Sequence, residues 1–356
     1  MKHSNAIAHL RRLCCSGLNM EIVIEEFLRA VPTLIASNNN TFTGTDDQLY
    51  PKYHIASFDI ADMRETIPNI VASFHTSARQ RRAIDWFKNH IAITDARVLE
   101  PTFYQSDLYN LVYKTFDMHH VLWMPVAQSG KPIGMLSLYR PKTQKPFGNR
   151  EQEQLGRLVQ YVAHALSAKA DEDNACGDSG RTGMMILNAR GQIISQSREA
   201  ERLMGMARYP RLVIETRSED RLLAKLAQLC SQLNAVYRGE QAPPPNHCHT
   251  NAYGRFLFRA YRLQEHGDYQ QNLTGLTIEH KVPVALMVLR AMQALSLSPM
   301  QQEVAQCIAQ GMPFETIGRR LHIKPTTVKD HVGKIYTKLN ICQREELLPK
   351  LLAIAS

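Results

Sequence analysis

The sequence predicts a multidomain α+β chain, in which two α/β modules of antiparallel sheet and helix precede an all-α bundle. Three patterns predict it. Residues 297–356 hold successive helix signals with no strand-like run among them. Residues 121–166 read as strand, turn, strand and long helix. From residue 184 onward the order is strand, turn, strand and helix, closed by two late strands. The length of 356 residues also exceeds a typical single domain.

In the C-terminal segment, Ser298, Pro299 and Gln301 make a helix start: a hydroxyl N-cap, a proline at the first helical position and a capping-box partner. Val304, Cys307 and Ile308 give that helix a dry stripe, and Gly311 supplies its stop. A short helix over 313–321 follows, burying Ile317 and Leu321. His322, Ile323 and Lys324 form the break. Pro325 disfavours helical dihedrals at Lys324 and sits where a missing first-turn amide costs nothing. The next helix places Val328, Val332, Ile335 and Leu339 on one face, while its wet side is small, polar and mostly basic. Two short helices joined by a tight turn, the second dry on one side and basic on the other, form the unit whose second helix enters a DNA major groove.

The run LSPMQQEVAQCIAQGMPFETIGRRLHIKPTTVKDHVGKIYTKLNICQR resembles the LuxR-type helix-turn-helix of bacterial transcription regulators. It matches at Leu297, Ser298, Glu303, Val304, Ala309, Gly311, Ile317, Leu321, Ile323, Thr327, Val328, Lys329, His331, Val332, Ile335, Lys338, Leu339 and Arg344, with TVKxH and IxxKL at family spacing. It also departs from the family. His322 stands where glycine is usual and must accept a left-handed conformation at a cost of about 1 kcal/mol. Lys324 replaces the usual N-cap. Gly333, in mid-helix, costs about 0.5–1 kcal/mol relative to alanine, a loss that close approach to a groove wall would compensate. Pro349 falls inside the fourth helix, which many members use for pairing, and is expected to kink or shorten it.

The resemblance implies double-stranded DNA as partner and a homodimer as the working form. Lys329, Lys334 and Lys338 are expected to approach the phosphates, with Lys324, Thr326 and Thr327 at the helix N-terminus and Arg344 at the start of the fourth helix. Asp330 and Gly333, one turn apart, stand where family members read bases, and an aspartate accepts from the cytosine amino group. Pairing of Asp330 with Lys334, four residues on, is the equal alternative.

Upstream, Val121 to Ala127 and Ile133 to Tyr139 flank a Ser129-Gly130-Lys131 turn, and a helix from about Asn149 carries Leu155, Leu158, Val159, Val162 and Leu166 on one stripe. Strand, turn, strand with PxGxLSLYR, then PF and a long helix, resembles the closing half of a GAF domain, here 1–170. Residues 171–183 are polar and glycine-containing and read as a linker. Next, GMMILNARGQIISQSREAERLMG, with YGRFLFRAYRL and NLTGLTIEH as late strands, resembles a PAS domain over 184–282. A connector helix over 283–296 then reaches the DNA-binding domain, 297–356. Its Ala285, Val288, Met292 and Leu295 fit either a short coiled coil or, slightly favoured, packing on its own domain.

The net charge of +9 suits an anionic partner but is spread along the chain. No apolar run is long enough for a membrane helix, charges interrupt the N-terminal stretch against a secretory signal, and seven cysteines without a CxxC pair point to a reduced, cytoplasmic setting. NHCHTN, residues 246–251, sets His247, Cys248 and His249 side by side, but adjacent side chains point apart, and a plain loop is the expectation rather than a metal site. Neither a receiver-type acidic cluster nor GxxxxGK[ST] is present, and no acyl-homoserine-lactone pattern can be placed around Trp86 or Trp123. No nucleophile-base set supports an enzyme, and no cofactor is implied. The expectation is a DNA-binding transcription regulator whose sensory half responds to a small molecule or mediates dimerisation. The alternative is a ligand-responsive interaction protein with a degenerate DNA-binding unit.

Overall fold

In a computed structural model of the chain, the described residues are 3–46, 50–58, 93–94, 101–168, 175–208, 212–213, 221–263 and 273–355. Trp86 lies outside them. The chain divides into two compact units, 1–171 with 211–217, and 172–210 with 218–356.

The first unit opens with two helices, α1 (His3–Cys14) and α2 (Met20–Ala30). Then come the strands β1 (Asn38–Thr45), β2 (Pro51–Ala56), β3 (Ile93–Thr94), β4 (His120–Gln128) and β5 (Lys131–Arg140), followed by helix α3 (Asn149–Ser167). With the short strand β8 (Leu212–Val213), the sheet order is β3-β4-β5-β1-β2-β8, antiparallel throughout. The expected hairpin turn is there: Ser129 and Gly130 take φ of 50° and 77°, the pair of left-handed residues that matches the twist of the flanking strands. The helices α2 and α3 pack on one face of the sheet, over Phe42, Leu122, Met124, Leu136 and Leu138, all of which are fully buried. Arg140 ties the end of β5 to α3. Its Nε donates to the Ala36 carbonyl at 2.7 Å, its guanidinium pairs with Glu151, and it lies over the Phe147 ring at 4.1 Å.

In the second unit the elements are β6 (Cys176–Leu187), β7 (Ile193–Gln196), α4 (Arg198–Arg208), α5 (Arg221–Tyr237), β9 (Asn246–Asn251), β10 (Gly254–Arg262) and β11 (Thr274–Pro283). The sheet order is β7-β6-β11-β10-β9. Alternation along the strands puts Met185, Leu187, Phe256, Phe258, Leu276 and Ile278 against α4 and α5. At Gly183 the helix lies so close that a β-carbon would fall 2.5 Å from the Ala200 amide nitrogen.

Two segments differ from their sequence reading. From Cys176 on, the stretch expected as a linker over 171–183 is strand, because its backbone pairs with β11 from Glu279 to Pro283, a bonding that needs no apolar side chains. NHCHTN, expected as a loop, is the edge strand β9, paired with β10. His247 and His249 point to the covered face of the sheet and Cys248 to the other.

The chain runs directly from β11 into α6 (Val284–Ala294), then α7 (Pro299–Ala309), α8 (Phe314–Leu321), α9 (Pro325–Leu339) and α10 (Leu347–Ala355). These five helices share one core. Val288, Ala291 and Met292 of α6 are buried with Val304, Ile308, Ile317, Val328, Ile335, Leu339, Leu347 and Leu351. Of the two arrangements open for the connector, the structure has the packed one, and the buried Gln302 side chain donates to the Met292 carbonyl at 3.0 Å. Pro349 neither kinks nor interrupts α10, because the helix begins two residues ahead of it, after a 3₁₀ turn over Arg344–Glu346. In the first helical turn a missing amide costs no hydrogen bond.

Candidate nucleic-acid interface

The base of the interface is the α7 start. Gln301 donates its backbone N–H to the Ser298 Oγ at 3.3 Å, and Ser298 returns its N–H to the Gln301 Oε1 at 3.0 Å, the reciprocal cap expected from the sequence. Gly311 takes a φ of +79°, ending α7, and α8 begins three residues later.

The turn between α8 and α9 is set by three residues. His322 is left-handed, with φ 56° and ψ 39°, as its place in the break requires. Histidine is among the non-glycine residues that enter this region more readily. Ile323 donates its N–H to the Gly318 carbonyl at 3.0 Å, closing the turn. Pro325 opens α9 at its first position, and the cap residue Lys324 makes no side-chain capping bond.

Along α9 the burial follows the expected stripe, with Val328, Val332, Ile335 and Leu339 inside. Lys324, Thr326, Lys329, Asp330, Gly333 and Lys334 are exposed on the other side, and Thr327 is half-buried. No ion pair joins Asp330 to Lys334 among the described residues, so both side chains stand open to a partner. Around Gly333 an added β-carbon would meet nothing within 4 Å, so no neighbour in the chain demands the glycine.

Two of the candidate phosphate contacts have partners within the chain. The Lys338 Nζ donates to the Ser296 carbonyl at 2.7 Å and the Gln301 Oε1 at 3.1 Å, fastening α9 to the start of α7. Arg344 donates from its guanidinium to the Met312 carbonyl at 2.8 Å and lies 5.8 Å from the Phe314 ring centre. His331 is half-buried, with its Nδ1 unpaired. Sequence reasoning passed over Arg319 and Arg320, exposed at the end of α8, and His322, exposed beside Lys324. The adjacent arginines next to the turn were the available signal.

Residues 295–349 match the family model for bacterial regulatory proteins, luxR family. The C-terminal segment is a LuxR-family helix-turn-helix domain. The nitrate/nitrite response regulator protein NarL of Escherichia coli (strain K12) is 36% identical over 74 residues, which are 19% of this chain and 34% of NarL. The chain thus spans about a third of the length of the curated relatives it matches. Among solved structures, the photoproduct state of GAF3 from Slr1393 of Synechocystis sp. PCC6803 is 14% identical, with a TM-score of 0.34, over 42% of this chain and 93% of that one. The Vibrio cholerae VqmA dimer is 16% identical, with a TM-score of 0.17, over 48% of this chain and 81% of that one. In the LuxR-family domain the start of α7 is capped and the lysine-bearing side of α9 is exposed. No helix among the described residues is long and apolar enough to cross a membrane.

Proposed function

We propose that this chain is a cytoplasmic, sequence-specific DNA-binding transcription regulator, with α9 as its recognition helix. One observation carries the reading: α9 buries Val328, Val332, Ile335 and Leu339 in a capped core and leaves Lys329, Asp330 and Lys334 exposed and open on the opposite side. A helix held this way presents cations to phosphates and a carboxylate to base edges. In this reading Lys324, Thr326, Thr327, Lys329 and Lys334 contact the backbone, Asp330 reads a cytosine, and Gly333 lets the groove wall approach. Lys338 and Arg344 serve first to hold the bundle. In this reading a GAF-like module and a PAS-like module precede the DNA-binding unit, the second taking in the strand that starts at Cys176.

The sensory half responds to a small molecule. In the first unit the sheet face turned away from α2 and α3 carries Thr41, Thr43, His54, Ser137 and Tyr139. A chain of hydroxyls crosses it, the Tyr139 Oη standing 3.4 Å from the Thr41 Oγ1 and 3.5 Å from the Tyr113 Oη. These hydroxyls border an apolar, aromatic cluster that includes Phe103, Val112, Val121 and Tyr113, and a few polar groups set in such surroundings suit a ligand that is mostly apolar and also hydrogen bonds.

The test is binding of the full chain to promoter fragments over a salt series. Lys329→Ala and Lys334→Ala should each weaken binding and reduce the salt slope by about 1. Unchanged affinity and slope in both variants would remove α9 from the interface. The alternative, an interaction protein with a degenerate DNA-binding unit, drew on His322, Gly333 and Pro349. Two of these, His322 and Pro349, occupy positions that their residue types accept.

A further inference from the structure

On the sheet face of the first unit turned away from α2 and α3, buried hydroxyls are short of hydrogen bonds. Ser137 of β5 stands in the register between Thr41 of β1 and Trp123 of β4 and is 4% exposed, yet its hydroxyl has no partner among the described residues. The hydroxyls of Thr41 and Tyr139, residues 2% and 4% exposed, meet only each other and that of Tyr113 among the described residues, at 3.4 and 3.5 Å. An O–H···O bond is ordinarily about 2.7–2.8 Å long. Polar groups buried this far are normally bonded, and leaving one short costs stability that a bound donor or acceptor restores.

We infer that the ligand of the first unit is an uncharged aromatic ring carrying a hydroxyl or a similar hydrogen-bonding group, received by Ser137, Tyr139 and Thr41. The inference rests on the reading that the first unit responds to a small molecule, and it narrows what that molecule is. Three observations select the class.

The first is the state of the hydroxyls. Each can donate and accept. A ligand hydroxyl placed among them does the same, bonding Ser137 and replacing the long contacts of Thr41 and Tyr139.

The second is the rings. Tyr113 stands edge-on to Phe103 and to Tyr139, with ring centres 5.2 and 5.5 Å away and planes crossed at 83° and 86°, and Trp123 packs on the same cluster. Aromatic rings favour edge-on or offset neighbours, so a flat ring gains contacts here that a saturated chain does not. Tyr113 also ends a π-helical turn, Leu108–Tyr113, in which the Lys114 N–H donates to the Tyr109 carbonyl at 2.8 Å, a winding often found at functional sites.

The third is charge. Arg140, the buried arginine of β5, turns to the opposite face, where Glu151 holds it, and so offers an anion no counter-charge here. His54, its Nδ1 3.0 Å from the Thr43 hydroxyl, is kept neutral by burial, which lowers its pKa to about 4, and burial raises Tyr113 well above its usual 10. An ion seated among these groups would lose its water and gain no partner.

Fluorine NMR titration of the full chain at neutral pH tests the class with three matched probes: para-fluorobenzyl alcohol, para-fluorobenzoate and para-fluorobenzylammonium. The alcohol should bind at one saturable site, and each ion about 10-fold more weakly or worse. Ser137→Ala and Tyr139→Phe should each weaken the alcohol about 10-fold. Ser137→Ala removes a hydroxyl that the fold leaves unbonded, so its melting temperature should equal or exceed that of the wild type, which separates lost recognition from lost structure. An ion bound more tightly than the alcohol overturns the ligand class, and if Tyr139→Phe weakens that ion the small-molecule site itself stands. Alcohol binding unchanged in both variants places the ligand elsewhere and overturns the inference. Saturable binding of none of the three sinks both the class and the small-molecule reading of this face.

Discussion

Gly318 and Ile323 leave no room for a methyl between them: a β-carbon on Gly318 would lie 2.8 Å from the Ile323 carbonyl oxygen and 3.5 Å from the Pro325 nitrogen. The blocking atoms are backbone of the turn itself, so they cannot rotate aside. Gly318→Ala should therefore cost about 1–3 kcal/mol through strain, partly offset by about 1 kcal/mol of better helix propensity. A melting temperature equal to or above that of the wild type would show that the turn can open.

Gly333 presents the opposite case. Nothing in the chain fills the space around it. Gly333→Ala should raise stability by about 0.5–1 kcal/mol, and by the proposed contact it should weaken DNA binding. Denaturant unfolding and duplex titration of the same sample separate the two effects. A variant that is more stable and binds equally well would remove Gly333 from the groove.

Lys338 joins α9 to the α7 cap through two hydrogen bonds. Lys338→Met keeps the aliphatic stem and removes both, at a cost of about 1–3 kcal/mol, because the Gln301 side chain loses a charged partner. If the residue is mainly structural, the salt slope of DNA binding should stay as in the wild type. A slope lowered by about 1 would instead assign it to a phosphate.

Met292 lies on the connector, yet it belongs to the core of the LuxR-family domain and is 1% exposed. Met292→Ala should cost about 2–5 kcal/mol, as in any core truncation. The loss should appear in thermal unfolding followed through DNA binding, although residue 292 lies ahead of residues 295–349, which match the family model. No change there would make α6 a detached tether.

His280 on β11 is buried on the helix side of its sheet. Its Nε2 lies 3.0 Å from the Tyr253 carbonyl and its ring is stacked on Phe256 at 4.7 Å. Burial, above all, lowers its pKa from 6.5 to about 4, and the Arg181 and Arg290 charges act in the same sense. Below pH 6.5 the unfolded chain takes up a proton that the folded chain refuses. Stability from this group is therefore full above about pH 6.5 and falls as the pH drops toward 4, by up to about 3 kcal/mol. His9, lowered to about 4 by burial and by Arg12, adds a similar slope in the first unit. Denaturant unfolding between pH 7 and 4 reads both, and His280→Gln should flatten its share; an unaltered slope would place the effect on other groups.

Local signals were enough where the cause is local. The Ser298–Gln301 cap, the break at His322, the stripe from Val328 to Leu339 and the Ser129-Gly130 hairpin turn each depend on residues within a few positions of one another, and each was legible. Strand β9 and the first half of β6 were not, because their polar side chains carry no apolar alternation, and the partner of β6 is the distant β11.

For the candidate site, the sequence by itself determined which helix is dry on one side and basic on the other, since that follows from residue spacing along 3.6-residue turns. Only the tertiary structure decided which of those cations remain open. Among the described residues no hydrogen-bond acceptor is brought to Lys329 or Lys334, whereas folding carries the Ser296 carbonyl to Lys338 and the Met312 carbonyl to Arg344. The same holds for the connector, whose stripe fitted a partner helix nearly as well as its own domain until Leu347 and Leu351, some sixty residues on, arrived to cover it. A side chain's spacing is written in the chain, but its partner is chosen by whatever the fold sets beside it.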